Sequence, residues 1–172
     1  MKLQVEQAKE HIGKKFPFGN TESGLALGDV AAFPWSHHDI TISGEFGYDG
    51  QYIIVTGQIE RCGEYSCTRC LVPVQLKWNT SFEESFTDAK SSSEEEEDAD
   101  VLRFDGDAID LTELIRETLI INEPSQVLCQ EDCKGLCVHC GHSLNESPCS
   151  CETFAVDPRW AALRSLLDKK DD

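Results

Sequence analysis

Eight of the nine cysteines in this chain fall into four close pairs. Cys67 and Cys70 form a C-x2-C, and Cys129 and Cys133 form a C-x3-C. Cys137 and Cys140 form a second C-x2-C, followed by Gly141, and Cys149 and Cys151 form a C-x-C. Cys62 stands alone. A tight turn with a cysteine at each end presents two thiolates to one tetrahedral ion, each sulfur about 2.3 Å from the metal. A glycine after the second cysteine lets the chain turn back, so that backbone N–H groups reach the sulfurs. One such pair is a weak signal, and four in one chain are a strong one. In a reducing cytosol thiols bind metal more often than they pair with each other, and an odd count argues against a closed disulfide framework.

Four thiolates close one structural zinc site, so eight make two. Cys137, Cys140, Cys149 and Cys151 read C-x2-C-x8-C-x-C, compact enough to close locally. Cys67 and Cys70 are then left to meet Cys129 and Cys133 across the fold. Three alternatives stay open: one zinc on another subset that includes Cys133, a histidine (His139 or His142) in place of a thiolate, or thiol redox chemistry at Cys67 and Cys70. The redox reading needs the C-x-x-C at a helix N-terminus after a strand, whereas residues 71–78 read as strand. Cys62 reads as a small buried side chain. His37 and His38 read as surface residues. The sequence holds no Gly-rich phosphate loop, no Ser-His-Asp arrangement and no H-E-x-x-H, and no carboxylate pair stands out from its 32 acids. No catalytic residue is therefore nominated, and the chain is expected not to be an enzyme. Metal would instead support folding, because residues 129–152 have too few apolar side chains to hold themselves together.

The elements that must position these thiols can be read in outline. Residues 39–87 form the clearest β region. Ile40, Ile42 and Phe46 recur at even spacing, Tyr48-Asp49-Gly50-Gln51 reads as a turn, and 52–56 is β-branched and aromatic. Val72, Val74, Leu76 and Trp78 alternate with Pro73, Gln75, Lys77 and Asn79, the pattern of a half-buried strand. At least three antiparallel strands follow. Leu3 and Val5 suggest a short strand, 13–28 reads as loop, Phe33-Pro34-Trp35 as an aromatic cover, and 101–104 as another short strand. Asp110 reads as the N-cap of a helix, with Glu113 at the capping-box position and Leu111, Leu114, Ile115, Thr118 and Leu119 on one face. Pro124 ends it. A last helix is predicted over 157–167, with Asp157 as cap, Pro158 at its first position, and Trp160, Leu163 and Leu167 as its apolar stripe. The fold class is α+β: an antiparallel sheet with a packed helix, a Cys-rich zinc-binding segment and a terminal helix. The expected division is an α+β domain over 1–128 and the Cys-rich segment with the last helix over 129–172.

The formal net charge is −17, from 32 acids and 15 bases in 172 residues. Twelve of the acids lie between 82 and 110, around the run Ser91-Ser92-Ser93-Glu94-Glu95-Glu96-Glu97-Asp98. A like-charge block beside a serine run repels itself and buries nothing, so a disordered acidic loop near 88–100 is expected. Such a loop can still steer a cationic partner. The charge excludes broad, sequence-independent binding of nucleic acid, which needs a basic face. Lys134, Arg159, Arg164, Lys169 and Lys170 are the bases near the zinc segment, and solubility or charge pairing on the last helix accounts for them equally well. There is no apolar run of about 18 residues to cross a membrane and no apolar core of a secretion signal near the first residues, so a cytoplasmic location is expected.

Three motifs together resemble the YceD family. They are the turn Cys67-Thr68-Arg69-Cys70-Leu71, Ile109-Asp110-Leu111 opening a helix that ends at Asn122-Glu123-Pro124, and the run from Cys133 to Gly141 followed by Leu144-Asn145, Cys149-Ser150-Cys151 and Asp157-Pro158-Arg159. The resemblance covers roughly 40–167, and Val138 departs from it where proline is common. It implies a factor linked to accumulation of large-subunit ribosomal RNA, in a family whose gene often lies beside that of a small basic ribosomal protein. In the family it resembles some members lack the C-terminal cysteines but keep the first C-x2-C, which implies a separate site at Cys67 and Cys70. The expected partner is a basic large-subunit ribosomal protein or a pre-ribosomal particle, held by an acidic adaptor. A thiol redox or RNA-processing enzyme is the alternative, and a zinc-ribbon module of a regulatory complex is a third reading.

Overall fold

Alternating apolar side chains make the centre of the molecule one twisted ribbon, seen in a computed structural model that describes residues 1–89 and 101–151. Strands β3 (Asp39–Tyr48), β4 (Ile53–Ser66) and β5 (Pro73–Asp88) are consecutive antiparallel neighbours. The Asp49 carboxylate closes the first turn by accepting the N–H groups of Gln51 and Tyr52 at 2.8 and 2.7 Å. Along β4, Ile53, Val55 and Ile59 are buried while Gln58 and Glu60 face water, the period of two expected of a sheet with one covered face.

Two edges differ from the sequence reading. Residues 15–23, expected as loop, form β2 (Lys15–Ser23), paired antiparallel with β3. At the other edge β6 (Val101–Phe104) runs parallel to β5, so the five-stranded sheet β2-β3-β4-β5-β6 is mixed rather than purely antiparallel. A second, two-stranded sheet joins β1 (Lys2–Gln4) to β7 (Ala108–Asp110), and the short α1 (Glu6–Glu10) follows β1. In the middle of the large sheet Gly44 faces Gly57. A Cβ on Gly44 would come within 2.2 Å of the Thr56 carbonyl and 2.8 Å of the Phe18 ring, and one on Gly57 within 2.5 Å of the Phe82 ring. The glycine pair therefore makes room for two rings laid over the backbone.

Helix α2 (Thr112–Ile121) packs on β5 and on a 3-10 turn at Gly24–Leu27. Its Leu111, Ile115 and Leu119 are fully buried with Trp35, Ile40, Ile42, Ile59 and Ile109. Asp110 does serve the helix start, accepting from the Thr112 N–H at 3.0 Å and its hydroxyl at 2.6 Å. Those bonds hold its carboxyl below the ordinary range. The residue flanking the helix is Leu111, and Glu113 pairs with Arg116 rather than closing a capping box. Among the described residues no helix is long and apolar enough to cross a membrane. The acidic run at 90–100 and the helix expected over 157–167, with Arg159, Arg164, Lys169 and Lys170, lie outside the described residues.

One charge sits inside the covered face. Arg61 continues the inward row of β4, is 3% exposed, and lies between Trp35 and Trp78, 5.6 Å from each ring. It donates to the carbonyls of Leu119 (2.8 Å) and Asn122 (2.9 Å) at the end of α2, and meets the Glu123 carboxylate at 3.2 Å. Trp35 Nε1 donates to the same carboxylate at 2.9 Å. Burial and a hydrogen bond to Glu123 hold the Tyr65 phenol above its usual range. A cation at a helix C-terminus also opposes the negative end of the helix dipole. Arg61 thus fixes the point where α2 hands the chain to the cysteine-rich segment.

Candidate metal centres

The β4–β5 turn carries the first two thiols. Cys67 N–H donates to the Val72 carbonyl at 2.8 Å, and Leu71 N–H donates back to Cys67 O at 2.9 Å, curling the turn so that both sulfurs face one side. The segment after α2 crosses this turn. Thr68 N–H and hydroxyl both reach the Val127 carbonyl, at 2.8 and 3.1 Å, and Arg69 Nη1 donates to Cys133 O at 2.8 Å. These bonds bring Cys129 and Cys133 onto the turn. The Sγ atoms of Cys67 and Cys133 are 3.8 Å apart, and those of Cys70 and Cys129 are 3.5 Å apart. All four lie within 4.8 Å of one another. Val74, Leu128 and Leu136 pack around them.

The second knuckle repeats the first bond for bond. Cys137 N–H donates to the His142 carbonyl at 2.8 Å and Gly141 N–H donates to Cys137 O at 2.9 Å. The sulfurs of Cys137, Cys140, Cys149 and Cys151 again lie within 4.8 Å of one another. His142 Nε2 faces Ser147, 2.9 Å from its hydroxyl, and neither His142 nor His139 joins the cluster.

Four sulfurs at about 2.3 Å around a tetrahedral ion stand about 3.8 Å apart, so separations of 3.5 and 3.8 Å fit a bound ion. A disulfide, at about 2.05 Å, does not match them. All nine cysteines are free thiols. The thiols also differ in proton affinity. Burial raises Cys67, but N–H groups of Cys70, Arg69 and Cys129 bring it down to about 6. N–H donors from Cys140 and His139 bring Cys137 to about 6. Cys129 and Cys151 are pushed up to about 12, chiefly by the sulfurs of Cys70 and Cys140 beside them. Such crowding of thiols is relieved by a divalent cation, whose charge drives deprotonation of its ligands.

The centres differ in cover. Cys67, Cys70 and Cys133 are buried and only Cys129 of the first set is exposed, whereas in the second only Cys137 is buried. Cys62, expected to be buried, is half-exposed, since β4 alternation turns it to the outer face opposite Arg61.

Three residues without thiols also shape the sites. Asn145 Nδ2 donates to Cys133 Sγ at 3.3 Å while its Oδ1 accepts Lys134 N–H at 2.7 Å, so a residue between Cys140 and Cys149 serves the other centre. That sulfur is held below the ordinary thiol range, Asn145 being the largest cause. Gly135 (φ 76°) lies against Arg69, where a Cβ would sit 3.1 Å from the Arg69 carbonyl. Leu71 occupies the turn position that Gly141 fills in the second knuckle, with φ 62° against 71°. The left-handed region costs an L-residue with a Cβ about 1–2 kcal/mol. Leu71 is nonetheless 65% exposed.

The chain was compared with known proteins. It is 32% identical over 121 residues to an uncharacterized protein of Mycobacterium tuberculosis H37Rv, Rv2926c, covering 70% of this chain and 58% of that protein. It is 33% identical over 119 residues to an uncharacterized Mycobacterium leprae protein, ML1660, covering 67% and 53%. It is also 32% identical over 107 residues to the uncharacterized Bacillus subtilis protein YlbN, covering 62% and 61%. The chain thus spans less than two thirds of the length of these relatives. No solved structure matches it. The family described as "Large ribosomal RNA subunit accumulation protein YceD" matches residues 55–167, a stretch holding all eight clustered thiols, and the chain belongs to that family.

Proposed function

We infer that this chain is a zinc-stabilised, non-enzymatic factor that supports accumulation of large-subunit ribosomal RNA in the cytoplasm by holding a basic ribosomal protein or a pre-ribosomal particle. The observation that carries the reading is the pair of four-thiol clusters inside the family segment. Four protein ligands fill a tetrahedral ion and leave no position for water or substrate, which suits a structural role. The first cluster joins the β4–β5 turn to the segment after α2, so a metal there would hold the sheet and the tail in one arrangement. A chain of net charge −17 is matched to cationic protein surfaces better than to bare RNA.

Three measurements test this. Metal analysis of purified, untagged protein, with thiol titration before and after chelation, should give two zinc ions and eight protected thiols per chain. Depletion of the protein in its own host should lower the large-subunit RNA relative to the small. A panel of purified basic large-subunit ribosomal proteins should contain at least one binder. An exchangeable water on the metal, or a Cys67–Cys70 disulfide that turns over with a thiol reductant, would replace the adaptor by the enzyme alternative.

A further inference from the structure

The two knuckles are built with the same hydrogen bonds, yet at the position that wants glycine one has Gly141 and the other Leu71. Leu71 is penalised by its backbone and gains little burial in return, being 65% exposed beside Val72 at 49%. Among the described residues nothing covers this side chain, although its conformation disfavours it. We propose that Leu71 and Val72 form the apolar anchor of a docking surface for a lysine- and arginine-rich protein segment that carries an apolar side chain of its own. The proposal rests on the adaptor reading and names the surface that reading lacks.

Charge selects the occupant. The turn is laced to the loop 129–133, which exposes Glu131 and Asp132, and Glu64 is exposed at the end of β4. Of the bases nearby, Arg69 donates to the Cys133 carbonyl and Lys134 is exposed, two positive charges against these three acids. Four thiolates around one divalent ion would add a formal charge of −2 at the turn that carries Leu71. A basic segment meets attraction around the rim, and its apolar residue meets Leu71 and Val72 at the centre, the arrangement of an energetic anchor ringed by polar contacts.

The test uses the full-length, zinc-loaded protein and the panel of purified basic large-subunit ribosomal proteins. Leu71→Asn and Leu71→Gly remove the apolar side chain but keep a residue that tolerates positive φ. Val138→Ser is the control, because Val138 is 88% exposed on the other knuckle. Both Leu71 variants should keep two zinc ions per chain and a melting temperature within about 2 °C of the parent or above it. Their Kd for the binding protein should rise at least about tenfold, while Val138→Ser leaves it unchanged. Equal weakening by Val138→Ser, unchanged binding in both Leu71 variants, or a fall in melting temperature with loss of zinc would each overturn the anchor while the adaptor reading stands. Binding by no member of the panel would overturn both.

Discussion

Replacing Arg61 by Met keeps most of the stem's volume and removes a charge that is 3% exposed. The carbonyls of Leu119 and Asn122 lose their donor, and the Glu123 carboxylate loses its ion-pair partner while keeping the Trp35 N–H. A hydrogen bond to a charged group contributes about 1.5–3 kcal/mol, and breaking a buried ion pair costs about 3–5. The Glu123 side chain is 23% exposed, so water recovers part of its solvation. The net cost of R61M is therefore placed at about 3–4 kcal/mol, a fall in Tm of roughly 6–16 °C for a chain of this size. The assay is denaturant unfolding of the zinc-loaded protein under reducing conditions, followed by fluorescence of the tryptophans flanking the guanidinium. R61K retains the charge but not the two-pronged reach to both carbonyls, and should fall about midway. In R61M/E123Q the carboxylate left without a counter-charge is neutralised while Gln can still accept from Trp35, so the double variant should be more stable than the sum of the two by about 1 kcal/mol. A cost for R61M below about 1 kcal/mol, or strict additivity in the cycle, would refute the assignment of Arg61 as the clamp on the end of α2.

Other outcomes follow from the same geometry. Under a chromogenic chelator, metal should leave in two phases of one equivalent each, the faster from the less covered second centre, and Cys149→Ser should delete the fast phase alone; a fast phase deleted by Cys67→Ser instead would reverse the order. Asn145→Ala should weaken metal at the first centre about 10–100-fold and leave the second unchanged, read by chelator competition in a background lacking one centre or the other. Gly44→Ala should destabilise by at least about 2 kcal/mol or prevent folding, because its Cβ would strike the Thr56 carbonyl and the Phe18 ring, whereas Gly19→Ala, with only Ile42 O at 3.6 Å, should stay within about 0.5 kcal/mol in the same unfolding assay.

Strands β3 to β5 were legible because one of their faces is covered and the other wet, which writes a period of two into the sequence. β2 was not. Phe16 and Phe18 face inward, but Pro17 and Gly19 interrupt them and Asn20 and Glu22 continue the same face, so it carries no apolar signal beyond its first half. The register with β3 holds it. The parallel β6 is equally silent, since four residues do not say which side of which strand they join. The grouping of the eight thiols was the reading that spacing favoured, because the last four are compact enough to close and leave the other two pairs to meet, and the sulfurs lie in those two sets. Asn145 and Leu71 could not be read: one matters through a partner distant in sequence, the other through a backbone angle. In β4 the alternation that runs through Ile53, Val55 and Ile59 reaches Arg61 next, and an inward-facing arginine is a signal that a stricter count would have raised.

The two centres are unequal in time as well as in cover. The second closes within fifteen residues of chain, from Cys137 to Cys151. The first spans 59 residues between Cys70 and Cys129, and 66 between Cys67 and Cys133. At the usual pace of synthesis, about 5–20 residues per second, the Cys67–Cys70 turn leaves the ribosome roughly 3–12 s before its partners are made. During that interval the growing chain carries an adjacent dithiol with half its ligands. Metal captured then is held by two sulfurs and is easily lost, and an oxidant arriving then can join the two sulfurs before the tail can claim them. The long span that locks the finished fold therefore makes the nascent chain its most oxidation-sensitive form.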